Sequence, residues 1–230
     1  MDRVRSYVLT NPVPMTLEDI KRLVARGEGR HLEFKRRVPE PERLAKEVVA
    51  FANSGGGHLL LGVDDDGSIV GVKDSEEEEF SLRHALDMHI RPTLAWISER
   101  IRITGKRDVI LVTVPNSPKK PHFIVTNVED GSGPSYVRVE DMSVEASPES
   151  IALMQHEHSP EGARFEFGEK ELLLMRYLEQ YGRVTVEGFA QIADLDRDDA
   201  GKLLVTLTRA GVLDQHREAR GDFYMIHYAG

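Results

Sequence analysis

Two neighbouring runs decide the fold: EGRHLEFKRR at residues 28–37 and AFANSGGGHLLLGVDDDGSIVGV at residues 50–72. In the first, His31 to Lys35 alternates as a short strand does, since successive side chains in a strand point to opposite faces. Between the runs, Pro41 to Asn53 spaces Leu44, Val48, Val49 and Phe51 as an amphipathic helix. Ser54 and Gly55, Gly56 and Gly57 end that helix and open an apolar strand from His58 to Val63. Asp65, Asp66 and Gly67 then form a turn, and Ile69 to Val72 is expected to pair back as a hairpin. Strand, helix, strand in this order indicates an α/β (α+β) domain with a mixed sheet.

Working outward, residues 1–15 carry two prolines without periodicity and read as an N-terminal arm. Thr16 and Asp19 have capping-box spacing, and Leu17, Ile20, Leu23 and Val24 share one helical face. Downstream, Ser75 caps a helix whose glutamates 76–79 suit the positive end of its dipole, and which runs through Leu82, Leu86 and Ile90 to stop before Pro92. Strand-like segments follow at 94–104, 109–114, 123–126 and 136–139. Ser147 with Pro148 then opens another helix. These elements group as a first domain over 16–155. Residues 156–167 read as a polar linker. From 168 to 230 the pattern changes to three helices and a hairpin, a second and smaller domain.

The chain has 230 residues, 40% apolar and 30% charged, which excludes a largely disordered protein. Its longest apolar run, Leu59 to Val63, is far short of the ~20 residues of a membrane helix, and MDRVRSYVLT lacks a secretory core. Zero cysteines remove disulfides and thiol chemistry and make a cytoplasmic location the expectation. The net charge is −9, shared between the two halves: residues 1–157 hold 21 Lys and Arg against 26 Asp and Glu. A nucleic-acid role therefore needs a local basic patch on an acidic body.

The quoted runs resemble the Schlafen AlbA-2 family. Its pattern is a glutamate, four residues, Glu-Phe-Lys, a helix ending Ala-Phe-Ala-Asn-Ser, a glycine pair, an apolar strand, Gly-Val-Asp-Asp and a closing Gly-Val. Arg91-Pro92, Val112 to Pro115 before a loop with Pro121, and Tyr136-Val137-Arg138 before Ser143 fit as well. The resemblance covers roughly residues 16–155 and implies a nucleic-acid-binding protein of transcriptional-regulator type, acting on DNA or structured RNA. Relatives that cut transfer and ribosomal RNA use two glutamates at this spacing and an aspartate from the Gly-Val-Asp segment. The matching positions are Glu28, Glu33 and Asp64, with Asp65 as a rival. Converging carboxylates suit Mg²⁺ or Mn²⁺, and Lys35, on the same side of its strand as Glu33, would meet a phosphate. A divalent-metal endoribonuclease with Glu28, Glu33, Lys35 and Asp64 as catalytic residues is the alternative to simple binding. Against both stands the plain reading, in which Asp64 to Gly67 serve only a turn. The enzymes of this family have a duplicated body, so a homodimer would supply the second copy here.

Basic residues expected to touch a nucleic-acid backbone are Arg30, Lys35, Arg36 and Arg37, then Lys119, Lys120, Arg138 and, on the tail hairpin, Arg220. Gly55 to Gly57 lack the Gly-Lys-Ser/Thr of a phosphate loop and read as structure. The tail reads as a winged helix. Its third helix carries Asp198 and Asp199 where a groove-reading helix would meet phosphates, so association is the competing role. Leu203, Leu204 and Val205 span more than one helical face, which predicts that one of them is covered by a second copy.

Overall fold

The computed structural model describes residues 14–127, 129–157 and 165–228. In chain order, the first 157 residues form α1 (Leu17–Val24), β1 (Leu32–Lys35), α2 (Pro41–Asn53), β2 (Gly56–Leu61), α3 (Ser75–His89), β3 (Ile90–Arg91), β4 (Ile97–Thr104), β5 (Arg107–Pro115), β6 (Phe123–Ile124), β7 (Tyr136–Val139), β8 (Met142–Glu145) and α4 (Pro148–His156). The remainder is α5 (Glu169–Tyr181), α6 (Val186–Ala193), α7 (Arg197–Arg209), β9 (Leu213–Glu218) and β10 (Gly221–Ile226). Among the described residues no helix is long and apolar enough to cross a membrane.

The centre is a four-stranded mixed sheet of order β1-β2-β5-β4, with β1 and β2 parallel and the other pairs antiparallel. Its two middle strands are covered on both faces, which is why they read as unbroken apolar runs. Leu59 and Leu61 of β2, with Ile110, Val112 and Val114 of β5, pack under α2 and α3. Leu60, Val109 and Leu111 face the other way and pack with Ile20 of α1 and Phe34 of β1. The capping box of Thr16 and Asp19 starts α1 as its spacing predicts. Gly56 has φ 86°, and a Cβ there would sit 2.7 Å from the Val114 carbonyl oxygen. The glycine run thus serves the close approach of β2 to β5.

Three local expectations are corrected. Residues 69–72 do not form a hairpin strand: after one bridge from Val63 to Ile69, Val72 crosses to Asp108, because β5 already holds the free edge of β2. Asp74, not Ser75, caps α3 by accepting the Glu77 amide, while the Ser75 hydroxyl donates to buried Asp108. A hairpin of β7 and β8, with Arg138 opposite Ser143, occupies a stretch where only β7 was expected.

In the tail, Leu174, Leu178, Phe189, Leu204, Leu207 and Tyr224 enclose a separate apolar cluster. The buried face of α5 is Leu174 and Leu178, while Leu172 and Leu173 are exposed. The three-residue argument for a second copy also fails. Leu204 and Val205 are buried and Leu203 packs against the tail cluster, with α7 lying on α4 of the same chain. That docking is polar. Arg197 donates from Nη1 and Nη2 to the two oxygens of Glu149 at 2.9 and 3.2 Å, and a Cβ at Gly201 would lie 2.4 Å from Glu149 Oε1. Ser147 and Ser150 of α4 donate to Asp222 of β10. Most of the expected N-terminal arm (1–13) and of the linker (158–164) lies outside the described residues.

Asn53, the asparagine of the Ala-Phe-Ala-Asn-Ser motif, is buried and staples the late segments to α2. Its Nδ2 lies within 3.1 Å of the His122 and Tyr136 carbonyls and the Ser135 hydroxyl, and its Oδ1 accepts the His122 amide at 2.9 Å. Asn53→Ala strands these groups in a dry interior, at about 1–3 kcal/mol for each one left unpaired. Urea unfolding should show a loss of more than about 2 kcal/mol; a loss under about 0.5 kcal/mol would mean that the staple contributes nothing.

Candidate nucleic-acid interface

The motif residues of β1 split by strand parity. Leu32 and Phe34 enter the α1-side core, whereas Glu33 and Lys35 share the opposite side. Glu33 is 7% exposed. Its Oε1 accepts from the Lys35 ammonium and its Oε2 from Arg138 Nη1 at 3.1 Å. Arg138, on β7, has a side chain with no exposure at all. Its Nη1 also donates to Glu47 Oε2 of α2 at 2.7 Å and reaches Ser143 Oγ at 3.1 Å, its Nη2 donates to the Gly29 carbonyl, and its plane lies over the Phe51 ring at 4.8 Å. Arg138 is therefore removed from the set of exposed backbone contacts. It is a buried counter-ion, and only its Nε lacks a partner.

Glu28 lies at the open edge of this cluster and accepts the Phe34 amide at 2.8 Å. Loss of water around it, with repulsion from Glu33 and Asp65, pushes its carboxyl above the ordinary carboxylate range; the Phe34 N–H and Lys35 oppose the shift. Of the two rival aspartates, Asp65 is the one whose charge bears on Glu28, while Asp64 accepts from Arg36 at 3.3 Å. Among the described residues no three His, Asp or Glu side chains are arranged to hold a metal ion. A Mg²⁺ or Mn²⁺ would have to displace Lys35 or Arg138 from Glu33 to use that carboxylate, so the donor set does not fit an ion as it stands.

The expected backbone contacts fall into two groups. Arg30, Arg36, Arg37, Lys119 and Arg220 are exposed. Lys120 is spoken for by Glu157 at 2.6 Å, with a side chain 7% exposed, and Lys35 by Glu33. The histidines hold structure: His31 Nδ1 meets the Gly56 carbonyl, His58 meets Thr113, and buried His122 bridges Ser117 and the Pro92 carbonyl. Burial lowers the pKa of both His58 and His122, which keeps them neutral at neutral pH. The sequence carries Asn53 and Ser143 as members of the motif without giving them a role, and Glu47 carries no signal in it; the roles depend on contacts between distant segments.

The raised carboxyl of Glu28 gives a pH signature. The folded chain binds that proton more tightly than the unfolded one, whose glutamate has its ordinary value of 4.5. The associated stability is complete below that value and is lost as pH rises through the folded value. Glu28→Gln keeps an oxygen for the Phe34 amide and removes the ionisation. Thermal melts should show the variant gaining on the wild type as pH climbs from 4.5 towards neutral. A difference that is flat, or that grows in the other direction, contradicts this placement of Glu28.

The crystal structure of the DIP2311 protein from Corynebacterium diphtheriae aligns at 18% identity over 92% of this chain, with a TM-score of 0.45. This chain spans only 38% of that protein's length. The solution structure of the N-terminal domain of a RecG-related protein from Nitrosomonas europaea aligns at 20% identity over 58% of this chain and 96% of that domain, with a TM-score of 0.39. No curated protein matches the chain. The family model for Schlafen, AlbA_2 matches residues 28–147, more than half of the sequence, and the protein belongs to that family.

Proposed function

We propose that the protein binds nucleic acid, DNA or structured RNA, as a regulator, with an AlbA-2 domain joined to a winged helix. The observation that carries this reading is the exposed set Arg30, Arg36 and Arg37 beside β1, within eight residues of an otherwise acidic chain. Backbone contact by such cations releases counterions and supplies most of the affinity. In the tail, α6 and α7 have the order of a helix-turn-helix and β9–β10 that of a wing. The first turn of α7 does not serve as the reader, for Arg197 is held by Glu149 and Glu187, and Asp199 by Lys202. The second reading, a Mg²⁺- or Mn²⁺-dependent endoribonuclease, is favoured by one observation: Glu28 accepts the Phe34 amide, one residue from Glu33. It requires Glu33 to be released from its cations when substrate arrives.

Replacing Arg36 and Arg37 by Ala should weaken binding to unrelated duplex sequences alike and reduce the salt slope by about 0.9 per lost contact. An unchanged slope places the interface elsewhere. Incubating tRNA and rRNA with the pure protein and Mn²⁺, against EDTA, separates the two readings. Cleavage lost in Glu28→Gln supports the nuclease, and binding without cleavage supports the regulator.

A further inference from the structure

Two clefts run between the first unit and the tail hairpin, of about 1020 and 310 Å³, and both are lined by Arg30 and Arg217. Arg220, His216 and Phe223 add to the wall of the larger one. Arg217 comes from β9 and donates from Nε to Ser150 Oγ at 3.2 Å. Burial lowers its pKa, Asp222 opposes the shift and Arg30 adds to it, and the two guanidiniums share the lining of both clefts.

What balances them within the chain is partial. Among the described residues, no ion pair includes Arg30, Arg217 or Arg220. Glu157 is held by Lys120, whereas Asp222 accepts from the neutral Ser147, Ser150 and Gln215, keeps its charge and offsets part of Arg217. In the larger cleft Glu218 belongs to Arg183, which leaves Glu140 as the other acid of that lining. The end of α2 at Asn53 to Gly55 supplies about half a negative charge from its dipole, short of two guanidiniums. The wall beside these cations carries a stacked aromatic pair. The rings of His216 and Phe223 lie 5.1 Å apart and 10° from parallel, with His216 exposed.

We propose that this seam is the seat of a single-stranded nucleic acid, with its phosphates on Arg30, Arg217 and Arg220 and a base stacked on His216. The proposal rests on the nucleic-acid reading above and adds the strand type and the surface. Cations set inside a walled groove, next to aromatic rings, suit one backbone with its bases splayed out. A duplex offers its phosphates on a convex rim, which the half-buried Arg217 does not reach.

The test uses the full chain, a labelled twelve-nucleotide oligo-U and oligo-dT, and a hairpin duplex, followed by anisotropy over a range of salt. Arg30→Glu and Arg220→Glu alter exposed side chains, so folding is preserved; melts check this. Each should weaken oligo-U or oligo-dT binding roughly tenfold and flatten the salt slope by about 0.7. His216→Ala should weaken it roughly tenfold with the slope unchanged. If the wild type binds none of the probes, the nucleic-acid reading falls and the seam with it. If it binds them and all three variants match the wild type while Arg36→Ala and Arg37→Ala do not, the seam is overturned and the nucleic-acid reading stands. Preference for the hairpin duplex, undiminished in the three variants, also overturns it.

Discussion

A guanidinium with no exposed surface organises the first unit. Arg138 arrives from β7, 105 residues after Glu33, and meets carboxylates from β1 and α2 at once. Taking such a charge out of water costs several kcal/mol, which only well-placed opposite charges and hydrogen bonds offset. Two carboxylates, Glu33 and Glu47, face two cations, Arg138 and Lys35, and Ser143 Oγ and the Gly29 carbonyl accept further N–H bonds from Arg138. The charges close to zero. The hairpin β7–β8 can therefore sit in one place only, against the start of β1 and the middle of α2.

This network determines how the motif's acids are divided. Glu33, aimed inward by strand parity, is a structural anion whose two oxygens are engaged. Glu28 and Asp65 stay at the edge, where loss of water, then repulsion from Glu33 and Asp65, raises the Glu28 carboxyl. Arg30, Arg36 and Arg37 lie outside this core and are exposed, Arg36 while also donating to Asp64. A site that holds its acids in reserve and shows its arginines favours recognition of a polyanion over immediate chemistry on it.

The sheet and most helices were legible because their signals are local. Thr16 with Asp19, Ser147 with Pro148, and the apolar runs at 59–61 and 109–112 each state an element within a few residues. What was missed depends on contacts over distance. Nothing near Ile69 says that β5 has taken the edge of β2, and nothing in Tyr-Val-Arg-Val says that the arginine turns inward. The apolar triplet 203–205 suggests a second copy, but Leu203 and Leu204 pack into the tail's own cluster and α7 lies on α4 of the same chain. Parity placed Glu33 and Lys35 together on one side of β1; identifying the third member required the fold.

A double-mutant cycle on Glu33→Gln and Arg138→Met, followed by urea unfolding, tests the buried network most directly. Each single change leaves an uncompensated charge and should cost about 3–5 kcal/mol. The double variant should cost less than the sum of the two singles, with a coupling energy of about 2–3 kcal/mol. Additivity within about 0.5 kcal/mol would mean that the two residues do not depend on each other, and the account of the site would be wrong.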